Sequence, residues 1–155
     1  MAKKPTSPLF TIGYEQAKSE AVLKELKAAK VELLVDVRAV AASRRPGFSK
    51  RQLAAGLDKY GIGYLHLRGL GTPKEGRLAA RSGDLPSLWR IYEKHLKTPE
   101  AKVELDELTA LVKSGRRVCL LCYERDTDHC HRRRVAQRVQ NSAGVKVKNL
   151  AAPLF

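Results

Sequence analysis

Four short apolar runs punctuate the chain, at Leu9–Gly13, Leu33–Arg38, Ile62–Leu67 and Val118–Cys122. Each gives way, directly or after a loop, to a stretch whose apolar residues recur at helical spacing. Runs this short, bounded by charge and turn residues, suit strands covered on both faces. Strands that alternate with helices call for a parallel sheet, right-handed crossovers and helices packed on either side. The expected fold is therefore α/β: three layers, with a mostly parallel sheet of about five strands and helices on both faces. The fifth strand is expected where Val145 and Val147 alternate with Lys146 and Lys148, an edge kept from further pairing by its lysines. Residues 1–8, with two prolines and two lysines, read as a flexible lead-in, and 9–155 as a single α/β domain.

Such a sheet gathers distant residues. The carboxyl ends of the four runs carry Tyr14-Glu15, Asp36-Arg38, His66-Arg68 and Cys122-Glu124, all brought to the edge where open α/β sheets bind ligands. Period-2 alternation puts Asp36 and Arg38 on one face, as a buried ion pair or a site. His66 reads as a hydrogen-bonded strand-end residue. In the following loop, Ser43-Arg44-Arg45-Pro46-Gly47-Phe48 sets arginines beside an aromatic surface at a Pro-Gly turn. Ser49, with Gln52 three residues on, predicts a capping box. Lys74–Gly83 is rich in charge and glycine without a clear period, and is expected to be a mobile lid or a passive surface loop. Helix starts are expected at Asp84 or Ser87, and at Thr98-Pro99-Glu100.

The densest chemistry lies between Arg117 and Val139. Cys122 ends the strand, a polar loop follows, and Cys130, His131 and Arg132 stand where a helix begins. Arg132, Arg133 and Arg134 oppose the field of that helix terminus, at roughly 0.3–1 kcal/mol each. Asp128 is the expected N-cap, and a bound anion would offset the remaining charge. Cys130, among His129, His131 and Arg132, has the electropositive setting that activates a thiol. Cys122 is placed as a nucleophile or as the partner of Cys130 in a reversible disulfide, and Cys119 as inert core. A zinc site using all of Cys119, Cys122, Cys130 and His131 is disfavoured. Residues three apart on a strand point to opposite faces, and adjacent helical residues diverge. A set of Cys122, Cys130 and a distant histidine stays open. No cofactor and no metal are expected.

The formal charge of +14 draws the chain to polyanions, to nucleic acid before membranes. No run approaches the roughly 18 apolar residues of a membrane span. An odd cysteine count of 3, with no apolar leader, suggests a reducing compartment, so a cytoplasmic protein is expected. The sequence sets no oligomeric state.

In order, the chain contains T-I-G-Y-E, L-V-D-V-R followed by S-R-R-P-G-F-S, then G-I-G-Y-L-H-L with L-G, and L-L-C-Y-E with C-H-R-R. This pattern resembles the family catalogued as domain of unknown function 488, over roughly Thr11 to Val139. The matching positions are Gly13, Tyr14, Asp36, Arg38, Ser43, Phe48, Tyr64, Leu70, Gly71, Cys122, Glu124, Cys130, His131 and Arg132. The resemblance implies an α/β fold and a shared polar site, and no particular reaction. V-D-V-R also looks like the corresponding strand of rhodanese domains. A C-x5-R loop is missing, however: Arg125 lies three residues after Cys122 and Arg132 ten, which argues against a rhodanese or tyrosine-phosphatase mechanism.

The expected site has Cys122, Glu124, Cys130 and Asp36 as catalytic groups. Tyr14, Glu15, Arg38, Ser43, Arg44, Phe48, His131 and Arg132 would bind substrate. It would serve an enzyme acting on an anionic small molecule, phosphate-bearing, or on nucleic acid. The alternatives are a non-catalytic basic nucleic-acid-binding module and a thiol redox sensor.

Overall fold

A computed structural model describes residues 7–154; residues 1–6 of the expected lead-in lie outside them. Strands β1 (Leu9–Gly13), β2 (Leu33–Asp36), β3 (Gly63–His66), β4 (Val118–Cys122) and β5 (Val147–Leu150) pair in the order β3-β2-β4-β1-β5, every pairing parallel. Between them run α1 (Ser19–Ala28), α2 (Lys50–Asp58), α3 (Lys74–Arg81), α4 (Leu85–His95), α5 (Pro99–Lys113) and α6 (Arg132–Ala143).

Alternation along each strand splits the core in two. On one face, Val118, Leu120 and Cys122 of β4 join Leu33 and Val35 of β2 beneath Leu108 and Val112 of α5 and Val135 and Val139 of α6. On the other, Cys119 and Leu121 join Phe10, Ile12 and Leu34 beneath Val22 and Leu26 of α1 and Leu53 and Leu57 of α2. The result is the expected three-layer α/β sandwich. The edge strand β5 keeps Lys148 exposed, and Lys146 just before it.

Thr98 and Asp84 cap their helices as the sequence predicts, by accepting from the Ala101 and Ser87 amides. Ser49 does not form its capping box. Its hydroxyl bonds to the amide and carbonyl of Ser43 instead, and Gln52 accepts from the Gly47 amide, so both side chains tie down the preceding loop.

Lys74–Gly83 is no open loop or lid but chiefly helix α3, packed along α4. Gly76 permits this approach: a Cβ there would crowd Thr72 and touch Ile91 and Leu88. Charge and alanine on the outer face hide the helical period.

Strand β4 lies between β1 and β2, and the two loops beside it part company. The chain leaving β2 crosses to α2 on one face, whereas the chain leaving β4 feeds α6 on the other. Such a divergence opens a crevice at the carboxyl edge of a parallel sheet.

Candidate functional site

A cleft of about 550 Å³ lies in that crevice. Its floor is Cys122, Glu124 and His131, with Tyr14 and Arg38 beside them. One wall is the loop after β2, and the other is α3, which presents Arg77 and Arg81 one helical turn apart. Tyr123 and His129 close the rim.

The floor is a compact sulfur–nitrogen cluster. Among the described residues, donor atoms of Cys122, Cys130 and His131 all lie within 4.8 Å of one another, and all three residues are buried. The Cys122 Sγ is 3.5 Å from His131 Nδ1 and 3.7 Å from Glu124 Oε2. His131 Nε2 lies 2.7 Å from the Val37 carbonyl, which can only accept. That bond sets the tautomer: Nε2 carries the proton, and Nδ1 faces the sulfurs.

Burial by itself would raise the Cys130 thiol. The Cys122 thiol donating to it, the facing His131 ring and the Arg132 charge reverse that and hold it well below its ordinary range. Cys122 is pushed well above its range, first by its bond to Cys130 and then by burial. Burial, followed by the Cys130 charge, takes Glu124 up to about 7. Burial would depress His131, but its contact with Cys130 outweighs this and raises it. In the reduced pair the negative charge thus favours Cys130 while Cys122 keeps its proton, which a neighbouring base must take before Cys122 can act as a nucleophile or metal ligand.

Cys130 precedes the helix in extended backbone rather than standing in its first turn. Asp128 sits in a 3-10 turn capped by Asp126, and α6 starts at Arg132 with no side-chain cap. The arginines expected to need an anion are satisfied internally. Arg133 pairs with Asp128, while Arg134 pairs with Glu93 at 3.5 Å and lies over the Trp89 ring. Arg132 turns inward and is fully buried. Its guanidinium donates to the Glu124 and Arg125 carbonyls and to the Thr11 hydroxyl, so it holds the loop after β4 and does not face the cleft.

Asp36 and Arg38 form a buried bidentate pair, with bonds of 2.8 and 2.7 Å. The Tyr64 hydroxyl adds a bond to Asp36, while Arg38 also donates to the Tyr14 hydroxyl and the Phe48 carbonyl. Burial would lower the Arg38 guanidinium, but Asp36 carries it upward; burial and then Asp36 push Tyr64 up. Asp36 is wholly enclosed, whereas Arg38 reaches the cleft.

Phe48 is buried and stacked on Tyr14 with ring centroids 4.3 Å apart, so it offers no open stacking face. Ser43, Arg44 and Glu15 do not line the cleft. Ser43 serves its own loop, and Glu15 accepts from the Arg125 amide. The fold thus gathers Tyr14, Arg38, Cys122, Glu124, Cys130 and His131, and leaves the others as supports or at a distance. Three cleft-lining residues, Arg77, Arg81 and Thr72, are not among the expected site residues, and His129, expected only as a neighbour of Cys130, also lines the cleft. The i, i+4 spacing of the two arginines was the available signal.

Among known families, one described as Domain of unknown function DUF488 matches residues 18–139. No curated protein and no solved structure matches the chain.

Proposed function

The chain belongs to the DUF488 family, a domain of unknown function, and from the cleft it builds we propose a thiol-dependent enzyme acting on a small anionic substrate. The observation that carries this reading is Cys122: its sulfur sits on the cleft floor, 3.5 Å from an imidazole nitrogen already aimed at it. Nucleophile, base and orienting group follow one another as Cys122, His131 and the Val37 carbonyl. Glu124 lines the same cleft with Oε2 3.7 Å from the sulfur, close enough to pass a proton to a departing atom. Arg77 and Arg81 supply positive charge on the opposite wall. Arg38 adds less, because Asp36 already neutralises it.

Two alkylating reagents test both halves of this reading. Iodoacetate is anionic and iodoacetamide neutral. Relative to a free thiol, Cys122 should react with iodoacetate at least about tenfold in excess of its reaction with iodoacetamide. Replacing Arg77 and Arg81 by alanine should abolish that preference. Equal relative rates in the unaltered protein, or no modification of Cys122, would refute the reading.

The charge of +14 separately favours association with nucleic acid. An oligonucleotide affinity that falls steeply with salt supports this second reading, and absence of binding at low salt removes it.

A further inference from the structure

We propose that Cys122, Cys130 and His131 form a binding site for a soft divalent metal ion, with Zn²⁺ as the ion it fits. The inference stands on donor geometry and does not depend on the anionic-substrate reading. Zinc takes thiolate sulfur at about 2.3 Å and imidazole nitrogen at about 2.0–2.1 Å in a tetrahedron. Sulfur and nitrogen donors of one ion are therefore about 3.6 Å apart, and two sulfurs about 3.8 Å. Cys122 Sγ and His131 Nδ1 are 3.5 Å apart, already at ligand spacing. No two donor atoms of the triad lie more than 4.8 Å apart, so the set closes on one ion with about 1 Å of side-chain movement or less.

Two features mark this cluster as built for a ligand. His131 gives its outer nitrogen to the Val37 carbonyl at 2.7 Å, the arrangement that orients a metal-bound imidazole and strengthens it as a donor. Glu124 Oε2 lies 3.7 Å from the Cys122 sulfur, close to the spacing of a fourth, oxygen donor on the cleft side. Either Glu124 completes the tetrahedron, or a water or anionic ligand entering from the cleft does. Two thiolates and one imidazole leave no net charge on a divalent ion, which suits a buried site. Cys119 plays no part, since it belongs to the core on the other side of the sheet.

The test is a titration of the full, reduced, metal-free chain with Co²⁺ and then Zn²⁺. Co²⁺ should give thiolate-to-metal charge-transfer absorption and the intense visible bands of a tetrahedral site, saturating at one equivalent. Zn²⁺ should displace it. Zinc should also slow alkylation of both Cys122 and Cys130 in the unaltered chain, which needs no variant. Cys122→Ala and Cys130→Ala should each weaken binding by more than about 100-fold, beyond the usual effect of losing an outer-shell partner. Cys119→Ala should leave it unchanged. No tetrahedral spectrum, or a spectrum that survives both cysteine replacements, overturns the site. If zinc fails to bind while Cys122 still favours iodoacetate, the metal inference falls and the thiol enzyme stands. Tight one-to-one binding without that preference does the reverse.

Discussion

Replacing Asp36 by asparagine isolates the energetics of the pair beneath the cleft. The carboxylate is fully buried and accepts four bonds: two from the Arg38 side chain, one from the Arg38 amide and one from Tyr64. Asparagine keeps the shape but removes the charge, and its amide turns one acceptor into a donor. Arg38, only 5% exposed, is then left as a buried cation with no counter-ion. Removing one partner of such a pair costs about 3–5 kcal/mol. With a urea dependence of about 2 kcal/mol per molar, the unfolding midpoint should fall by about 2 M. Adding Arg38→Met removes the stranded charge, so the double variant should be more stable than Asp36→Asn alone. Urea unfolding followed by far-ultraviolet circular dichroism, with slopes checked for equality, measures both. A loss below about 1 kcal/mol, or a double variant no better than the single one, would refute the reasoning.

Gly13→Ala should destabilise the fold by about 1–3 kcal/mol or more, because its Cβ would overlap the Glu124 carbonyl that Arg132 also holds; an unchanged melting temperature would contradict this. Cys119, raised by complete burial, should escape alkylation in the native chain and label only after unfolding, as peptide mass spectrometry will show. Burial, with the neighbouring Glu100 and Glu107 charges, raises the Glu104 carboxyl from its ordinary 4.5, and its Oε2 is buried without a hydrogen-bond partner among the described residues. The folded state therefore holds that proton more tightly than the unfolded chain, a contribution present below pH 4.5 and lost as pH rises through the folded value. Glu104→Gln should melt as the parent does near pH 4 and about 1–2 °C higher at neutral pH, and an equal difference at both would count against it.

The sheet was legible because periodicity decides topology. Runs as short as Leu33–Arg38 and Val118–Cys122 admit few identities, and parallel pairing then carries Asp36, His66 and Cys122 to one edge. Side-chain direction was not legible. Three adjacent arginines look alike in sequence, yet Arg132 is drawn inward by carbonyls that only folding assembles, while Arg133 and Arg134 find carboxylates. Phe48 looked like an open stacking surface because nothing local reveals that Tyr14 arrives on top of it. Helix α3 does not show in the sequence because Gly76, a poor helix former in isolation, is favoured there by close packing on α4, a tertiary gain that outweighs local propensity. Ser49 departs from the expected capping box for a related reason: the Ser43 backbone takes its hydroxyl.

Arg132 ties the strand-exit loop to two neighbouring elements at once: to Thr11 on β1 and, through its own backbone, to α6. Glu124 and Cys122 therefore cannot shift independently of the central sheet. The opposite wall is positioned by a different contact, the packing of α3 on α4 at Gly76. The cleft's chemistry and its cationic wall are thus anchored to separate parts of the fold, so a substitution that loosens one leaves the other in place.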